Sequence, residues 1–84
     1  MRAGVPKGAM FKVSIFDRER KLCEAAVSEV SLPGQEGELT VLEFHAPMIC
    51  LLRAGQIRVD GRPLLIRKGI ARMERNELLV LVER

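Results

Sequence analysis

The side chains able to do covalent or metal chemistry are few: one histidine, His45, and two cysteines, Cys23 and Cys50. A lone histidine in a loop serves as a general base, as a metal ligand, or as a residue that fixes the loop by hydrogen-bonding its backbone. Catalysis needs a partnered nucleophile, and no Ser-His-Asp or Cys-His spacing surrounds His45; the nearest thiol, Cys50, follows five residues on. Two widely spaced cysteines fall short of a disulfide scaffold and of the roughly four ligands a zinc site requires, so they read as free thiols in a reducing compartment. No catalytic residue, cofactor ligand or metal ligand is assigned. Gly34-x-x-Gly37 precedes a strand rather than a helix, which excludes a P-loop or dinucleotide fingerprint.

Recognition chemistry is better represented. The segment Gly34–Met48, GQEGELTVLEFHAPM, concentrates two Gly, three Glu, His45 and Pro47. Gly34 and Gly37 suit a tight loop whose backbone needs positive φ. Glu36 and Glu38 either orient a basic partner loop or belong to a solvated turn. Arg53, Arg58, Arg62, Arg67, Arg72 and Arg75 recur across neighbouring hairpins. They read either as a solvated face with cross-strand ion pairs to the interleaved Asp60, Glu74 and Glu77, or as a phosphate or nucleic-acid track. The chain carries 14 Lys and Arg against 11 Asp and Glu, a net charge of +3, and the surplus lies wholly beyond residue 42. That bias is below what a dedicated nucleic-acid binder shows, and three Phe with no Trp or Tyr leave few rings for stacking on bases. Nucleic acid is therefore not an expected partner.

The elements that must position these residues are strands. Eighty-four residues form one small domain, because a chain of this length buries only about 60% of its unfolded surface and cannot divide that between two cores. Residues 1–9 hold two Gly and a Pro without periodicity and read as a flexible leader or expression remnant; residues 10–84 read as the folded domain. From Phe11 onward, short runs of Val, Ile and Leu alternate with polar residues and are broken by Gly, Pro, Asp or Asn, an all-β rhythm with no helical period. Expected turns fall at Asp17 to Lys21, Pro33-Gly34, Ala54-Gly55, Asp60-Gly61, Lys68-Gly69 and Asn76. Asp60-Gly61 is the strongest, since Asp-Gly between alternating runs favours a type I′ hairpin. The expected fold is a small antiparallel β-sandwich of about eight to ten short strands, with an open barrel as the alternative. Met48–Leu52 and Leu78–Val82 are apolar on both faces. Either the leader or a loop shields their outer faces, or a partner does. No apolar run reaches the roughly 18 to 20 residues of a membrane helix, and no signal-peptide stretch opens the chain. A cytoplasmic protein without direct membrane insertion is expected.

The order of these features resembles one family: the N-terminal β-sandwich domain of the epsilon subunit of F-type ATP synthase, called delta in mitochondria. Phe11-Lys12-Val13-Ser14-Ile15-Phe16 looks like that family's first strand. Gly34-Gln35-Glu36-Gly37-Glu38-Leu39, Val41-Leu42 and His45-Ala46-Pro47-Met48 resemble the pattern G-x-E-G-E-L/F-G-I/V-L-P-G-H-A-P-L. Leu51 to Gly55 with Ile57 is similar to the L-x-x-G-x-I/V segment that follows, and Gly69-Ile70-Ala71 to a later strand. Two departures stand in the fingerprint: Thr40 replaces a Gly, and Glu43-Phe44 replaces Pro-Gly, so the loop before His45 turns differently.

The resemblance implies a non-catalytic rotor subunit of a proton-translocating ATP synthase. It would bind the gamma subunit and the polar loops of the c-subunit ring, and would lie peripherally on the inner face of the cell membrane. It also implies roles for individual residues. Glu38 matches the family position that faces the ring loops, Glu36 and His45 share its fingerprint, and Leu39, Val41, Leu42 and Met48 complete the expected partner interface. Family members continue into a C-terminal helical hairpin that these 84 residues do not include, so the chain is expected to be a naturally short subunit or a truncated one. A β-sandwich or barrel adaptor, or a nucleic-acid module using the Arg-rich face, is the alternative.

Overall fold

The computed structural model describes residues 10–43 and 46–84. The stretch 1–9, expected as a leader, and the fingerprint residue His45 lie outside the described residues. Nine strands follow in order: β1 (Phe11–Phe16), β2 (Lys21–Val27), β3 (Glu29–Gly34), β4 (Gly37–Leu42), β5 (Met48–Leu52), β6 (Gly55–Val59), β7 (Arg62–Ile66), β8 (Lys68–Glu74) and β9 (Glu77–Glu83). The all-β expectation is met.

The strands form one curled sheet that folds over into two layers. In the first layer the order is β2-β1-β9-β8-β5; in the second β3 lies between β4 and β6, with β7 outermost. Strand β3 crosses from one layer to the other. It pairs with β6 at Val30 and Ser31, and with β5 only at Gly34↔Leu52. Two backbone bonds extend the corner: Arg53 N–H donates to Pro33 C=O at 2.9 Å, and Gln35 N–H to Leu51 C=O at 3.0 Å. A Cβ at Gly34 would sit 2.7 Å from the Gly37 oxygen and 3.2 Å from Cys50 Sγ, so the corner admits only glycine.

Period-two alternation builds the core. Val13 and Ile15 of β1, Leu78 and Val80 of β9, Ala71 and Met73 of β8 and Leu52 of β5 point inward from the first layer. Val30, Leu32, Val41, Ile57 and Ile66 meet them from the second, all at most 5% exposed. Each buried aliphatic side chain of this size contributes about 1.5–3 kcal/mol relative to exposure.

Four sequence expectations change in detail. Pairing is antiparallel throughout except β1 with β9, which run parallel, because β1 is inserted beside a strand far from it in sequence. Pro33-Gly34 belongs to β3, and the turn is Gln35-Glu36; of Gly34 and Gly37, Gly37 alone, at φ 136°, adopts the expected positive φ. Lys68-Gly69 opens β8 rather than turning the chain. There Gly69 is required by close packing, since a Cβ would lie 2.6 Å from the Leu81 oxygen. The turn expected at Asn76 begins one residue earlier: Arg75 and Asn76, at φ 54° and 62°, form a two-residue turn with both central residues left-handed. Asp60-Gly61, at φ 49° and 85°, is the expected turn of that type.

Candidate partner interface

The β3–β4 hairpin carries the acidic half of the site. Gly34 pairs with Gly37 around the Gln35-Glu36 turn, and Pro33 pairs with Glu38. In β4 the alternation turns Leu39 and Val41 inward and Glu38, Thr40 and Leu42 outward. Glu36 and Glu38 are exposed, and among the described residues neither has a cation within salt-bridge distance. Leu42 is half exposed, and Leu39 and Met48 are partly buried. Val41 is wholly buried, so it backs the strand from the core and offers no surface to a partner.

Glu36, Glu38, Leu39 and Met48 meet in one groove of about 470 Å³ between this hairpin and β5. The structure thus brings together four of the seven expected interface residues. Leu42 lies farther along β4, Val41 beneath it, and His45 outside the described residues. Cys50 also lines the groove, where burial first and then the charge of Glu36 push its thiol upward. A thiol shifted in that direction stays protonated near neutrality and is a poor nucleophile. Among the described residues no group of three or more His, Cys, Asp and Glu is placed to hold a metal.

The apolar half of the site is the outer face of the first layer. Register places Leu51 opposite Ile70, Ile70 opposite Leu81, and Leu81 beside Phe16, a continuous row across β5, β8, β9 and β1. Leu51, Ile70 and Leu81 are 53%, 39% and 48% exposed, and Ile49 one step along β5 is 70% exposed. Contiguous aliphatic exposure across three strands, continued by the partly buried Phe16 on a fourth, is the pattern of an interaction surface, whereas isolated exposed leucines are ordinary. Ile49 and Leu51 also line the acidic groove, so the two halves are continuous. The sequence marked β5 and β9 as apolar on both faces but missed Ile70 and Phe16, because only the strand order places β8 between those two strands and β1 beside β9.

The arginines do not form one stripe. Arg58 faces outward from the second layer, Arg72 from the first, and Arg53 sits at the β5–β6 corner. Arg62 and Arg75 flank or occupy hairpin turns, and Arg67 is at the bend before β8. Arg72 lies 3.8 Å from Glu74, and Arg67 lies 3.7 Å from Glu83. A basic track requires these side chains on one face; here they divide among two faces and the connections.

The described domain coincides with a known family. The family "ATP synthase, Delta/Epsilon chain, beta-sandwich domain" matches residues 10–84. The chain belongs to this family. Among curated relatives, this delta/epsilon domain is 36% identical over 74 residues to an ATP synthase epsilon chain, chloroplastic, from Guillardia theta, covering 83% of the chain and 56% of the relative. It is 40% identical over 70 residues to the epsilon chain of Rhodobacter capsulatus, covering 79% and 53%. The chain therefore spans a little over half the length of these relatives. In fold, the domain superposes on a chain of the Euglena gracilis mitochondrial ATP synthase with TM-score 0.83 at 18% identity, covering 100% of this chain and 56% of that one. On a chain of the Tetrahymena thermophila mitochondrial ATP synthase central stalk and c-ring structure it reaches 0.75 at 14% identity, covering 87% and 63%. Those two identities speak for the delta/epsilon fold alone.

Proposed function

We propose that this domain is a non-catalytic, epsilon-type rotor subunit of a proton-translocating F-type ATP synthase, docking on the gamma subunit and on the c-subunit ring. One observation carries the reading: in a family member, an acidic turn at Glu36 and Glu38, with no cation at salt-bridge distance among the described residues, adjoins a continuous apolar face at Leu51, Ile70 and Leu81. The two halves suit two kinds of partner surface. The apolar row excludes water against another folded subunit, gamma; the acidic turn meets basic, solvated loops of the ring. Four of the large exposed aliphatics, Ile49, Leu51, Ile70 and Leu81, share the proposed docking face rather than a pocket built for chemistry, which suits the transfer of torque through a rigid body. No helix among the described residues is long and apolar enough to cross a membrane. In this reading the gamma subunit and the ring hold the domain at the cytoplasmic face of the membrane.

Affinity capture of the tagged chain from lysate of the organism that encodes it, with mass spectrometry of the retained proteins, tests the reading. Recovery of gamma, ring and catalytic-head subunits is expected, and Glu38→Lys should reduce ring recovery most at low salt. Recovery of nucleic acid or of an unrelated complex would overturn it.

A further inference from the structure

Glu38 lines a second groove, on the outer face of the second layer, of about 340 Å³. Arg53, Gln56 and Arg58 line it as well, with Pro33 and Gly55. At its floor the Pro33 ring packs on Gly55, where a Cβ would sit 2.9 Å from Pro33 Cβ, and Arg53 N–H is tied to Pro33 C=O at 2.9 Å. Glu38 and Arg58 stand on opposite sides of β3, paired with Pro33 and Ser31 respectively. They are thus two strand spacings apart, about 10 Å, and two residues offset along the strand, about 7 Å.

Across that span the opposite charges leave each other unneutralised. Among the described residues no carboxylate pairs with Arg53 or Arg58, and neither of them pairs with Glu38. On the first layer Lys12, Lys21, Arg67, Lys68 and Arg72 have acidic partners, and the arginines that have none within salt-bridge distance among the described residues, Arg18, Arg20, Arg75 and Arg84, lie in turns or at the chain end.

We propose that Arg53 and Arg58 form the cationic half of a mixed-charge clasp with Glu38, and that the partner loop docked there presents a carboxylate beside the basic residue that meets Glu38. The inference rests on the docking reading above and adds to it the chemistry of the loop: a protein segment bearing both signs within one turn. A phosphate group or a nucleic-acid backbone fits worse, because Glu38 at the same groove repels an anion while two arginines attract it. A loop of mixed charge satisfies both and excludes loops of single sign, which sets register as well as affinity.

The test uses the full chain and, as probe, the gamma–ring subcomplex of the encoding organism's ATP synthase freed of its own epsilon-type subunit. Affinities are measured at low and high salt for the wild type, Glu38→Gln, and the pair Arg53→Gln with Arg58→Gln. Each variant is expected to bind about three- to tenfold more weakly at low salt, with the difference shrinking as salt rises and the melting temperature unchanged. A weakened Glu38→Gln beside an arginine pair that binds like wild type overturns the clasp while leaving the docking reading intact. Failure of the wild type to bind overturns the docking reading, and the clasp with it. A salt-independent weakening accompanied by a lowered melting temperature also overturns the clasp, since the arginines would then act on the fold.

Discussion

Asp60 does two jobs at once. Its backbone turns the β6–β7 hairpin at φ 49°, while its Oδ1 accepts the Ser28 and Glu29 N–H groups, each at 3.0 Å, tying that hairpin to the start of β3. Asp60→Ala keeps the chain length but leaves both donors to water and puts an alanine at φ 49°, and should lower stability by about 1–2 kcal/mol in urea unfolding, with Asp60→Asn losing less. The Asp-Gly turn is legible in the sequence, but the long-range bonds are not, because nothing local to residue 60 points to residue 28. Glu24 sets a pH dependence. Hydrogen bonds from Lys21 and Lys12 hold its carboxyl down at about 2, below the ordinary 4.5. A depressed folded value means the stabilisation is fully present above pH 4.5 and is lost as pH falls from there toward 2. The urea midpoint should therefore drop between pH 5 and pH 2, and Glu24→Gln should flatten part of that drop. Lys12, raised first by its hydrogen bond to Glu24, works from the other side: its contribution holds below pH 10.5 and fades above it.

At the scale of elements, nearly all the strands are readable because one face of each is buried and alternation at period two survives in the residue types. Turns were legible where both central residues announce themselves, as in Asp60-Gly61, and misplaced where glycine serves packing instead. Gly69 is such a position: it faces the Leu81 backbone at a distance no Cβ tolerates. Gly69→Ala should cost about 1–3 kcal/mol by forcing β8 and β9 apart, measurable as a shift in denaturation midpoint without a change in slope. Arg75 makes the opposite point. An arginine at φ 54° is strained where asparagine is tolerated, so Arg75→Asn should raise stability by up to about 1 kcal/mol. The parallel β1–β9 pair left no trace in the sequence, since alternation specifies which face is buried and says nothing of strand direction or order.

At the scale of the whole molecule, the apolar row from Leu51 through Ile70 and Leu81 to Phe16 is the feature most at odds with an isolated domain. Part of it was readable, as strands apolar on both faces; the row itself exists only once the topology is drawn. Ile70→Ser with Leu81→Ser should lower the melting temperature only modestly, because about half of each side chain is already exposed, while abolishing capture of the gamma subunit. The acidic turn beside that row was readable from its glycine spacing, though which of its residues face outward was not: Val41 proved to be core and Leu42 surface. The most direct test of a two-sided rotor contact is photo-crosslinking in native membranes, with a benzophenone side chain placed at position 38 in one variant and at position 81 in another. Adducts with the ring subunit from position 38 and with the gamma subunit from position 81 are the predicted result; adducts with unrelated proteins, or none from either position, would contradict it.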